Sequence, residues 1–78
     1  MGRKPKEEEE QVFNSLEQAR KKIGLTRIQL AEAVDVHYQT IGYIERGEYA
    51  PTLALALRLA KALGCSTEQL FKLKAESE

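Results

Sequence analysis

The chain carries a single histidine, His37, and a single cysteine, Cys65, in separate stretches and with no second nucleophile or metal-ligand partner at useful spacing. Neither an enzyme active site nor a metal or cofactor site is expected from them, and Cys65 reads as a small buried apolar residue. The side chains that do stand together are Tyr38, Gln39, Gly42, Tyr43 and Arg46. On a helix of 3.6 residues per turn they form one contiguous stripe, while Ile41 and Ile44 point the other way. The stripe is polar and aromatic and lacks an acid, whereas a plain solvated face mixes Glu and Lys. Gln and Arg have the donor and acceptor geometry to read base edges, and Tyr can donate to a phosphate or pack on a thymine methyl. Gly42 costs such a helix about 1 kcal/mol relative to Ala, so it calls for a reason, and close approach to another surface supplies one. Spacing and composition leave two uses open for the stripe: nucleic acid or another protein.

That stripe needs a mount. Residues 26–47, "TRIQLAEAVDVHYQTIGYIERG", hold two short helical patterns with almost nothing between them. Thr26 and Gln29 form a capping box opening a helix that runs to about Val34. Asp35 falls at the sharp turn, in a left-handed conformation that Gly adopts more readily. The stripe-bearing helix follows from about Tyr38 to Arg46, with Gly47 as its C-terminal cap. Helices joined this tightly cannot lie antiparallel and must cross steeply.

Upstream, Val12, Phe13, Leu16, Ala19 and Ile23 recur at helical spacing and predict a first helix over about residues 8–23, ending at Gly24. Glu7 to Glu10 suit its first turn. Downstream, Thr52 caps "LALALRLAKALG", which is apolar on more than one side. Leu53, Ala56, Leu57, Ala60 and Leu63 form one stripe of it and Leu55 and Leu59 another, the mark of a central helix. Ser66 and Gln69 form a second capping box and predict a fifth helix bearing Leu70, Phe71 and Leu73. The expected fold is an all-α, compact five-helix bundle over residues 8–75, after a tail at residues 1–7.

At 78 residues the chain reads as one domain with one modest core. No stretch approaches the roughly 20 apolar residues of a membrane span, and Arg3-Lys4-Pro5-Lys6 runs straight into glutamates rather than into a leader. Neither a membrane nor a small-molecule ligand is expected as a partner, and the lone cysteine fits a reducing cytoplasm. The formal charge is zero, so its distribution matters. Residues 11–75 carry nine Lys and Arg against six acids, a net of +3, with Arg20, Lys21, Lys22, Arg27 and Arg46 in the first half. That permits an anion-binding patch without arguing for one. The amides opening the second helix, with Thr26 and Arg27 beside them, make a natural seat for a phosphate.

Residues 16–71 resemble the helix-turn-helix domain of the Cro and phage-repressor-like family, also called the XRE family. The resemblance rests on "GLTRIQLAEAV", "QTIGYIERGEYAP" and "LALALRLAKALG", and on the ordered combination of LTxxxLA, QTIxxIERG and Pro-Thr-Leu. It implies a lambda-repressor-like bundle that binds double-stranded DNA as a transcriptional regulator, usually as a homodimer on a palindromic operator. Tyr38, Gln39 and Tyr43 match the family's base-reading positions. Arg27 matches the polar residue that caps the second helix onto a phosphate, and Thr40 and Arg46 match positions used for backbone contacts or for flanking the groove. Arg20 and Glu45 match a buried ion pair between the first and third helices.

The sequence departs from the family pattern at four points. Asp35 stands where Gly is usual, His37 where Ser or Thr caps, Tyr38 where Arg is often found, and Glu48 where Lys is common. The last two lower the expected electrostatic affinity. His37 has two readings, a donor to phosphate, stronger when protonated, and a poor helix cap facing water. The basic end at Arg3, Lys4 and Lys6 could follow a groove as an arm, although Glu7 to Glu10 oppose it. The competing function is an antitoxin-type or other protein-interaction module. Leu55, Leu59, Leu70, Phe71 and Leu73 are the apolar residues expected to form either its patch or a homodimer seam.

Overall fold

A computed structural model describes residues 12–73. The expected tail at residues 1–7 with its basic arm, the acidic run and the last residues from 74 on lie outside that range. Strand β1 (Val12–Asn14) is followed by α1 (Leu16–Lys22), α2 (Arg27–Val34), α3 (Tyr38–Glu45), α4 (Leu53–Leu63) and α5 (Thr67–Leu70). Strand β2 (Phe71–Leu73) closes the order. All five helices feed one core: Leu16, Leu30, Val34, Ile41, Ile44, Leu59 and Leu70 are fully buried. Each such side chain contributes about 1.5–3 kcal/mol through loss of apolar surface to water.

Local chemistry sets most helix ends. The Thr26 hydroxyl accepts from the Gln29 amide at 3.1 Å, and the Gln29 side chain accepts from the Thr26 amide at 2.8 Å. Ser66 and Gln69 repeat this reciprocal pair at the start of α5. Thr52 accepts from the Leu55 amide and opens α4. At the α2–α3 turn Asp35 is left-handed, with φ 61° and ψ 49°, the conformation that Gly64 takes at the end of α4. Its carboxylate makes no ion pair among the described residues. Arg58 of α4 steadies this turn by donating to the Val34 carbonyl at 3.2 Å.

Two expectations fail at the ends of the fold, for one reason. The first helix does not begin at residue 8, because Val12 and Phe13 are in a strand. The fifth helix is a single turn, and Phe71 and Leu73 are in the partner strand. β1 and β2 pair antiparallel, Val12 opposite Leu73, Phe13 opposite Lys72 and Asn14 opposite Phe71. The described residues are therefore five helices plus a two-stranded sheet rather than all-α. Val and Phe suit a pleated, half-buried surface as well as a helix, and tertiary hydrogen bonds decide between the two. The Ser15 amide donates to the Leu70 carbonyl at 2.8 Å. Asn14 accepts from the Leu16 amide at 3.0 Å and donates through its side-chain amide to the Ile44 carbonyl at 2.9 Å. These bonds stop α1 short and tie the strand to the last turn of α3.

In α4 the buried residues are Leu55, Ala56, Leu59, Ala60 and Leu63, while Leu53 and Leu57 face outward at 74% and 53% exposure. Leu55, Leu59 and Leu70 therefore belong to the core and cannot form a seam or a partner patch. No helix among the described residues is long and apolar enough to cross a membrane.

Candidate nucleic-acid interface

Helix α3 begins at an unusual cap. His37 Nδ1 accepts from the Gln39 amide at 3.1 Å, and its ring stacks on Tyr38 with centroids 4.6 Å apart. An Nδ1 that accepts carries no proton, so on neutral His37 the hydrogen sits on Nε2. The cap thus uses one ring nitrogen and leaves the other as a donor. Tyr38, Gln39 and Tyr43 are all exposed on the outward side of α3, Thr40 is partly covered, and Ile41 and Ile44 are buried.

The one acid in α3 is turned inward. Glu45 has 1% of its side chain exposed and is held by two arginines. Arg20 grips it with two nitrogens, Nε to Oε2 at 2.7 Å and Nη2 to Oε1 at 3.2 Å. Arg20 also donates through Nη1 to the Leu25 carbonyl at 2.9 Å, so its buried charge is well satisfied. Arg27, the first residue of α2, adds Nε to Oε1 at 2.9 Å and stays 41% exposed. A buried carboxylate is tolerated only with such partners. The shared Glu45 fastens α1, α2 and α3 to one another. The family resemblance points to the Arg20–Glu45 contact; Arg27's share in it carries no sequence signal, because the partners lie 18 positions apart.

Gly42 needs a different account from the one its spacing suggests. It is buried, and what comes close to it is part of the same chain. A Cβ on Gly42 would stand 3.1 Å from Arg46 Nη1 and 3.5 Å from Arg27 Nη1. The missing side chain makes room for two guanidinium heads over the middle of α3. Arg46 also lies over the Tyr43 ring, 5.3 Å from its centroid, within cation–π range. Its Nε is 3.3 Å from Oε1 of Glu48. Arg27, Tyr43 and Arg46 are thus gathered around Gly42, while His37, Tyr38 and Gln39 stand at the start of α3. Thr26 spends its hydroxyl on the α2 cap, beside Arg27.

Away from this face, Val12, Ala50, Pro51, Leu53, Ala56 and Phe71 line an open, mostly apolar groove of about 400 Å³ between the sheet and the start of α4. Sequence reading missed it, since it exists only because β1 and β2 pair.

The helix-turn-helix family matches residues 16–70 of this chain. The HTH-type transcriptional regulator YgzD of Bacillus subtilis is 38% identical over 64 residues, which is 82% of this chain and 97% of that protein. An HTH-type transcriptional regulator of Methanothermobacter thermautotrophicus is 56% identical over 45 residues, 58% of this chain and 65% of that protein. Among solved structures, the restriction-modification controller protein C.AhdI of Aeromonas hydrophila superposes with a TM-score of 0.66 at 30% identity, covering 69% of this chain and 82% of that one. A structure of the SinR/SinI protein complex gives a TM-score of 0.64 at 26% identity, over 68% of this chain and 52% of that one. Matched through the whole of its folded core, from Leu16 to Leu70, the chain belongs to the XRE-type helix-turn-helix family of transcriptional regulators.

Proposed function

We propose that this regulator binds double-stranded DNA sequence-specifically, with α3 in the major groove, and represses by occluding a promoter. The observation that carries the reading is the disposal of charge on α3. Its only acid is buried between two arginines, so the outward face offers phenols, an amide and cations to a polyanion. In this reading Tyr38, Gln39 and Tyr43 read bases, and Thr26, Arg27, His37, Thr40 and Arg46 contact the backbone. The neutral His37 tautomer supports its part, since Nε2–H is available to a phosphate while Nδ1 caps the helix. Residues 8–75 form the DNA-binding domain, preceded by a tail, and the protein works in the cytoplasm.

A single copy reads one half-site. Two recognition helices about 34 Å apart would read a palindrome, which makes a homodimer the working unit. The seam cannot use the buried Leu55, Leu59 and Leu70; Leu53 and Leu57 on the outside of α4 are available instead. Selecting bound duplexes from a random DNA pool tests binding, sequence preference and half-site spacing together. A pool that yields no enriched sequence overturns the reading. The apolar groove at Leu53 and Phe71 favours one second reading, a protein-interaction module of antitoxin type. It predicts that the groove, rather than α3, responds when the partner is added.

A further inference from the structure

Glu48 is the exposed acid that touches the proposed DNA face, paired with Arg46, a residue assigned to hold a phosphate. Arg46 and Arg27 bring like-charged heads together over Gly42, their Nη1 atoms 3.1 Å and 3.5 Å from where a Cβ would stand. Arg27 is already tied by Nε to Glu45, whose single charge is shared with Arg20. That cluster therefore keeps one net positive charge. Among the described residues Arg46 is paired only with Glu48, and both are well exposed, at 46% and 56% of the side chain. An exposed pair of this kind is weak and exchanges readily. A phosphate offers the same oxygens at a position where the second guanidinium also attracts it.

We infer that Glu48 is an internal competitor for backbone phosphate, occupying Arg46 in the free protein and giving it up when DNA arrives. The inference rests on the proposed DNA-binding role. The Tyr43 ring, 5.3 Å from the Arg46 Cζ, stays beside the guanidinium during the exchange and attracts it as a cation. The competitor acts on phosphate contact and leaves base reading alone, so it trims affinity for all sequences alike.

The test is a double-mutant cycle on the full chain, binding a mixed-sequence duplex across a range of KCl concentrations. Wild type, Glu48→Gln, Arg46→Ala and the double variant are compared. Glu48→Gln is expected to tighten binding five- to tenfold at low salt and to steepen the plot of log K against log salt by about one. In the Arg46→Ala background the same change is expected to alter affinity less than twofold. An equal gain in both backgrounds would mean that Glu48 acts through net charge alone, and no gain in either would remove it from the interface; each overturns the inference. Unchanged melting of Glu48→Gln shows that folding is not the cause. If wild type binds no duplex at all, the DNA-binding reading falls and takes this one with it. If it binds and the cycle is flat, only the competitor falls.

Discussion

Glu45 and Glu48 stand three residues apart at the end of α3, and each meets arginine, yet the surroundings give them opposite work. Glu45 is sealed, with 1% of its side chain exposed, and water cannot take the place of the buried Arg20 beside it. Glu48 sits in solvent, where water and ions replace Arg46 at little cost. The same carboxylate is a structural fastener in one place and an exchangeable counterion in the other. Desolvation, not distance, makes the difference.

The hardest break in that contrast is Glu45→Ala. It leaves the guanidinium of Arg20, itself 7% exposed, buried without an anion. A loss of about 3–5 kcal/mol is expected, seen in thermal melting as a drop of more than about 10 °C. Arg20→Met combined with Glu45→Leu is expected to recover part of it, since an apolar pair removes the stranded charge. A melting point that falls no further for Glu45→Ala than for Glu48→Gln would erase the distinction.

Next comes the outward face of the same helix. Gln39→Ala is expected to relax discrimination at one base position by roughly 1–3 kcal/mol, with little change in melting. Competition binding with duplexes altered one base pair at a time measures it. An unchanged ranking of those duplexes removes Gln39 from base reading.

Gly42→Ala sharpens the comparison because it touches both sides. Ala favours the helix by about 1 kcal/mol, but its Cβ meets Arg46 Nη1 at 3.1 Å. Arg46 is half exposed and can swing away, so melting should rise while duplex affinity falls. Unimpaired binding would show that the placement of Arg46 over Gly42 is irrelevant to DNA.

The smallest effect is expected at the α2–α3 turn. Asp35→Gly relieves a left-handed φ of 61° and should raise stability by at most about 1 kcal/mol. Chemical denaturation measures it. A loss of stability would mean that the Asp35 side chain contributes to the turn.

Much of the reading frame of the fold was legible because it is local. Thr26 with Gln29, and Ser66 with Gln69, cap their helices within one turn, so no distant residue has a vote. Asp35 and the pairing of α2 with α3 followed from how few residues join them. The ends of the fold were not legible. Val12 and Phe13 satisfy a helical period as easily as a strand, and only pairing with residues near the other end of the chain settles it. Helix α4 was ambiguous for another reason: with leucines on several sides it has no unique face. The neighbours chose Leu55 and Leu59 for burial over Leu53 and Leu57.

Gly42 draws the same line within the candidate site. Its place in an acid-free stripe marked a close approach, and tertiary structure supplied what approaches: two guanidinium heads of its own chain. The order of residues by itself determined the caps, the tight helical pair and the aromatic, amide-bearing stripe, because each depends on contacts a few positions apart. Packing alone decided the sheet, the buried side of α4 and the fate of each carboxylate. Those depend on which groups lose water, and that is a property of the assembled fold.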